Sequence, residues 1–277
     1  MSCRPFIGLF FLMFTLDADL RADEKCEVDV VKDIAYLTGD KADAKKHKLD
    51  IYSPKGKKDC PVLFFVHGGA WKSGDRAQYP LLGKGFAEQG IVTVVISYRL
   101  SPGVQHPAHI QDTARAFGWV YDNVAKFGGR PDRIFVSGHS AGGHLVALLA
   151  TNEEFLKAEG RATKDIRGVL PMSGVFTIFP GLMASTFGND AAAIRNASPT
   201  HCAGPNLPPF LISYAASDIP TLGSMAEQLD KKLRDNKVDS TLMCVEGRNH
   251  ITILMKMADA NDPLRKAFSD FIARHSK

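Results

Sequence analysis

Ser140 stands in Gly138-His139-Ser140-Ala141-Gly142, between the apolar run "RIFVS" (133–137) and an Ala/Leu-rich stretch that predicts a helix over 141–151. A serine hydroxyl is a weak nucleophile on its own; it needs a base, and the base needs an orienting group. A turn this tight between strand and helix drives its central residue towards positive φ, and small neighbours relieve the crowding. The hydroxyl is then raised at a helix N-terminus, where the dipole and free N–H groups favour developing negative charge. That is the chemistry of attack on a carbonyl carbon.

A serine on such a turn is followed along the chain by its acid and then its histidine. "PPFLISYAASD" ends in Asp218 and "STLMCVEGRNH" ends in His250, each just after a strand-like run. Asp190 and Asp230 are rival carboxylates in poorer positions. His139 and His144 lie too close to Ser140 along the chain to turn a ring onto its hydroxyl, and His47 and His275 read as exposed. "LFFVHGGAW" closes another strand with Gly68 and Gly69, which let backbone N–H groups approach an oxyanion. The N–H of Ala141 adds a second contribution. Each such donor is worth about 3 kcal/mol in a transition state.

The elements that must hold these residues alternate. Strand-like runs fall at 61–66, 91–97, 133–137, 167–173, 208–213 and 240–246, with helical stretches near 78–89, 108–127, 141–151, 221–236 and 262–275. Near-continuous apolar strands fit a parallel sheet covered on both faces, and the alternation predicts a doubly wound α/β architecture. The segment before residue 61 predicts antiparallel edge strands. Residues 174–207, rich in Gly, Pro, Asn and Ala, form an insertion long enough to cover something.

At 277 residues, 45% hydrophobic and 23% charged, the composition is that of an ordinary globular protein. A net charge of +4 with no dense basic cluster argues against nucleic acid as a partner. Arg4 followed by the apolar "PFIGLFFLMFTL" (5–16) is too short to span a membrane and predicts a secretory leader over 1–22, hence a secreted or periplasmic protein with one domain over 23–277. The remaining Cys26, Cys60, Cys202 and Cys244 are enough for two disulfides or for four plain thiols, and none has metal-ligand spacing.

With these residues in hand, the chain resembles serine esterases of the α/β-hydrolase fold. It is most similar to a compact group with an HGG-x-W turn that includes feruloyl-esterase-like, acetyl-esterase-like and kynurenine-formamidase-like enzymes, related to hormone-sensitive-lipase-type carboxylesterases. The likeness rests on "HGGAWKSGDR" (67–76), "SYRLSP" (97–102), "HPAHIQD" (106–112), "GGRPDRIFVSGHSAGGHL" (128–145), "ASPT" (197–200) and "GRNH" (247–250). It implies a mostly parallel central sheet with helices on both faces and a short cap at 174–207. By the same resemblance Ser140 is the nucleophile, His250 the base, Asp218 its orienter, and Gly68, Gly69 and Ala141 the oxyanion donors. Trp71 would pack at the mouth of the substrate pocket, with His139 as a further pocket residue and Arg99 and Asp112 as non-catalytic ion-pair or capping residues. There are two departures: Tyr214 and Ala215 stand where the family carries a His-Gly pair, and the acid loop is shortened to Asp218-Ile219-Pro220.

The expected function is hydrolysis of short-chain or aryl carboxylic esters, small or carbohydrate-linked, with no metal or cofactor. Feruloyl or acetyl groups on plant polysaccharide are one such class. The alternatives are an aryl formamidase using the same groups and a non-catalytic binding module, which should have lost a member of the set.

Overall fold

The computed structural model describes residues 25–181 and 183–277; the expected leader lies outside the described residues. Eight strands form one sheet: β1 Val28–Ala35, β2 Lys48–Pro54, β3 Cys60–Val66, β4 Val92–Ile96, β5 Gly129–His139, β6 Gly168–Met172, β7 Phe210–Ser217 and β8 Ser240–Asn249. Their order is β1-β2-β4-β3-β5-β6-β7-β8. β2 runs antiparallel to both β1 and β4, and the pairings from β4 through β8 are parallel. The expected antiparallel edge is therefore β1 and β2.

Five longer helices cover the sheet: α1 Pro80–Glu88, α2 Ala108–Asn123, α3 Ala141–Thr151, α4 Leu222–Asp235 and α5 Pro263–His275. The apolar runs divide between the faces by the two-residue period of a strand. Val62, Phe64 and Val66 of β3 join one core with α2, α3 and α4 residues such as Phe117, Leu145 and Leu229. Leu63 and Phe65 join the opposite core with Phe86 of α1 and Phe268 of α5. Burying each such side chain contributes about 2 kcal/mol, so the central strands lock the sheet between its helices.

Of the two alternatives open for the cysteines, the structure takes the second: Cys26, Cys60, Cys202 and Cys244 are all free thiols. Two sequence expectations are corrected. His47, expected at the surface, is 1% exposed: its Nδ1 accepts the N–H of Asp43 at 2.8 Å and its Nε2 lies 3.1 Å from the buried Asp112. His275 is half-buried, its ring tilted against Phe271. As expected, Arg99 forks onto Asp112 at 2.8 and 2.9 Å.

Among the described residues no helix is long and apolar enough to cross a membrane. The insertion carries short helical turns at Ala184–Phe187, Ala191–Asn196 and Pro199–Cys202.

The close approach of α3 to the sheet depends on glycine. A Cβ on Gly142 would stand 2.0 Å from the carbonyl oxygen of Val66, and one on Gly138 would stand 2.5 Å from the Gly142 backbone. Gly142→Ala is expected to lower stability by about 3 kcal/mol or prevent folding. Gly204→Ala, at a position with nothing within 4 Å, should change it by less than about 0.5 kcal/mol. Urea midpoints measure both, and equal midpoints would contradict the packing argument.

Candidate active site

Ser140 has φ 55 and ψ −117 and immediately precedes α3. Its N–H is satisfied by the carbonyl of Met172 on β6 at 2.9 Å. A serine in this position ordinarily turns its hydroxyl onto the first helical N–H groups, yet here no side-chain cap bond forms. The hydroxyl faces His250 instead, with Oγ 3.0 Å from Nε2. The other ring nitrogen, Nδ1, lies 2.7 Å from Oδ1 of Asp218. The three side chains expected to act together, from the ends of β5, β7 and β8, thus form one hydrogen-bonded chain.

The shortened acid loop closes as a tight turn. Asp218 donates its N–H to the Ala215 carbonyl at 3.1 Å, and its Oδ2 accepts the Ala215 N–H at 3.1 Å. Oδ1 also accepts the N–H of Ile219 at 2.8 Å. Ser173, one residue past β6, donates its hydroxyl to Oδ2 at 2.5 Å. Burial by itself would push this carboxyl up. The His250 ring, then Ser173 and the two backbone donors outweigh it and hold the pKa down to about 2.

Ser173 has no place in the sequence reading, although "RGVLPMS" ends on it beside the strand that leads to the acid. Asp190 and Asp230 have other work: Asp190 caps a short helix through Ala193, and Asp230 takes Ser240 and Arg234.

The histidine loop is fixed from several sides. Arg248 donates to Asp262 at 2.8 Å, and Asp262 caps α5 through the N–H groups of Leu264 and Arg265. Asn249 Oδ1 accepts the N–H groups of Ile251 and Thr252. His139 donates from Nε2 to the His250 carbonyl at 2.7 Å, with ring centroids 4.6 Å apart. Burial, then the neighbouring His250, lowers its pKa to about 4. His139, expected to line the substrate pocket, is 5% exposed, with Nε2 on the His250 carbonyl and Nδ1 on the side of Gly68.

On the opposite side, Gly68 lies so near the serine that a Cβ there would be 2.9 Å from the His139 carbonyl oxygen and 3.2 Å from Ser140 Cβ. Gly69 has φ 116, and a Cβ on it would strike the Ser73 carbonyl at 2.3 Å. Among the described residues, no backbone carbonyl takes the N–H groups of Gly68, Gly69 or Ala141, and that of Gly68 is directed to the Tyr79 hydroxyl. The next two residues, Ala70 and Trp71, have φ 52 and 58, a conformation that costs about 1 kcal/mol or more per non-glycine residue. Trp71 was expected at the pocket mouth. At 1% exposure it is instead a wedge beneath the turn, because its indole is covered edge-on by Phe187 and His144.

A separate cleft of 990 Å³ lies by Asn152, Arg195 and Asn206, beyond the far end of α3 from Ser140.

The BD-FAE family model matches residues 49–233. Esterase LipQ of Mycobacterium tuberculosis is 34% identical over 227 residues, covering 73% of this chain and 52% of the relative. Isoprenylcysteine alpha-carbonyl methylesterase ICME of Arabidopsis thaliana is 27% identical over 259 residues, 83% of this chain and 60% of the relative. The chain spans about half the length of the curated relatives it matches. Among solved structures, esterase B from Lactobacillus Rhamnosis (HN001) superposes with a TM-score of 0.77 at 22% identity, covering 90% of this chain and 86% of that one. A truncated carbohydrate esterase from gut microbiota gives 0.78 at 20% identity, covering 92% and 98%. At such identities the likeness bears on the fold, which is that of α/β hydrolases.

A carboxyl whose folded pKa is depressed adds stability that is complete above its unfolded value near pH 4 and is lost as pH falls through the folded value, here about 2. Ser173→Ala removes one of the donors that depress it. The acid-unfolding midpoint, followed by circular dichroism, is expected to move to higher pH. An unchanged midpoint would show that the hydroxyl does not stabilise the Asp218 carboxylate.

Proposed function

The chain belongs to the BD-FAE family, and from that membership we propose that it is a serine carboxylesterase working through an acyl-enzyme on Ser140. The observation that carries this reading is the continuous contact from Ser140 through His250 to Asp218, at 3.0 and 2.7 Å. Nε2 of His250 takes the hydroxyl proton as Oγ bonds to the ester carbonyl carbon. Asp218 accepts from Nδ1–H, which fixes the tautomer and offsets the charge on the imidazolium. The N–H groups of Gly68, Gly69 and Ala141 hold the oxyanion. The imidazolium then protonates the departing alkoxide, and water enters by the same route to release the acid and restore Ser140.

The substrate class proposed is a short-chain or aryl ester, free or carried on carbohydrate. Ile219 and Ile251, next to Asp218 and His250 in the chain, are 50% and 57% exposed, and Phe179 of the insertion is 47% exposed. Apolar side chains at such positions suit the hydrocarbon part of an ester more than a charged one. The insertion is too short for a large lid, which favours small or soluble esters. The relatives' names, an esterase and a methylesterase, agree with ester hydrolysis. The apolar segment 5–16 behind Arg4 supports an exported enzyme.

The test is hydrolysis of p-nitrophenyl esters from acetate to octanoate, together with a feruloyl ester and an aryl formamide. Turnover is expected to be greatest on acetate or butyrate and about tenfold lower on octanoate. Ser140→Ala should lower kcat by about 10⁴-fold or more. Faster turnover of the formamide than of any ester would replace this reading with the formamidase one. Hydrolysis that survives in Ser140→Ala would remove the serine mechanism.

A further inference from the structure

His144 sits four residues past Ser140, in the first turn of α3, and is wholly buried. Both ring nitrogens are engaged. The indole Nε1–H of Trp71 donates to Nδ1 at 3.2 Å, and Nε2 lies 2.8 Å from the carbonyl oxygen of Ala197 in the insertion. An indole N–H can only donate and a carbonyl can only accept, so Nδ1 is bare and Nε2 carries the proton. Burial, which lowers the pKa to about 3, keeps the ring in this one neutral form. Phe187 closes the group edge-on, with centroids 4.9 Å from Trp71 and 5.5 Å from His144.

The turn that this group supports is strained. Ala70 and Trp71 are consecutive L-residues at positive φ, directly after Gly69. Such backbone relaxes unless its surroundings over-determine it. The Trp71 carbonyl is held by the N–H of Ser101 at 2.8 Å, and the His144 bond is the one hydrogen bond its side chain makes among the described residues. His144 also leaves the same helical turn that begins at Ser140, so it fixes the donor turn relative to the serine.

We propose that His144 is a positioning residue: through Trp71 it holds the strained turn after β3 at the distance from Ser140 that oxyanion stabilisation requires. The proposal rests on the esterase reading of Ser140 and of the Gly68–Gly69 turn. It predicts a loss that falls mainly on the transition state, because these donors bind the developing oxyanion more strongly than the ground-state carbonyl.

The experiment measures kcat and KM on p-nitrophenyl butyrate and inhibition by a trifluoromethyl ketone, whose tetrahedral adduct uses the same donors. His144→Phe fills the volume and removes both bonds. Its kcat should fall about 30-fold and the inhibitor should weaken in step, with KM within about threefold of wild type. His144→Gln, which offers one acceptor and one donor in the same direction, should recover much of both. Should His144→Phe fail to fold, Trp71→Phe keeps an aromatic ring while removing the N–H and part of the indole's volume; a fall in kcat and inhibitor affinity together, with KM little changed, is expected of it. Wild-type kcat in the folded variant overturns the proposal, and so does a loss carried by KM. If the wild type itself neither hydrolyses the ester nor is labelled on Ser140 by a fluorophosphonate, the esterase reading fails first.

Discussion

The site depends on how closely the N-terminus of α3 can approach the carboxyl ends of β3 and β5. That approach leaves no room for a side chain at Gly138 or Gly142, and it holds Ser140 at φ 55 with its N–H on Met172. A serine in relaxed backbone would turn its hydroxyl onto the helix as a cap. Held above the turn, it has His250 as its side-chain partner. The same packing sets Ala141 at the helix end beside the turn of Gly68 and Gly69. One steric constraint therefore positions both the hydroxyl and the groups proposed to receive negative charge.

The other members are held by residues with no chemistry of their own. Asp218 is surrounded by four donors, one of them His250 itself, and this keeps it ionised well into acid. His250 sits on a loop tied at Arg248, at Asn249 and, through its own carbonyl, at His139. These bonds remove freedom from the loops before substrate arrives, which is how pre-organisation lowers a barrier. The strain at Ala70 and Trp71 has the same logic, since buried aromatic packing elsewhere offsets it.

Much of this was legible in the sequence because order along the chain survives folding. Ser140, Asp218 and His250 each follow a strand, and parallel strands bring such positions to one edge of the sheet. The glycines at 138 and 142 announced the turn because few other residues fit it. What escaped reading depends on contacts between distant segments. Trp71 follows a turn and reads as a rim residue; it is buried because Phe187 and His144 arrive from far along the chain. His47 sits in "KADAKKHK", a run that looks solvated, yet its ring turns inward to Asp43 and Asp112. Four cysteines allowed two bridges, but pairing is a matter of tertiary distance, to which spacing is blind. Ser173 was missed because a serine ending a buried strand carries no signal until its neighbour is known.

The central claim is that ester cleavage passes through a covalent bond to Ser140. The direct measurement is acid quenching of the protein during turnover of p-nitrophenyl acetate, followed by mass mapping of its peptides. The account predicts one acetyl group per molecule at most, carried on the peptide containing Ser140 and absent from Ser140→Ala. Acetyl found reproducibly on another residue of a fully active protein, with Ser140 unmodified, would contradict it.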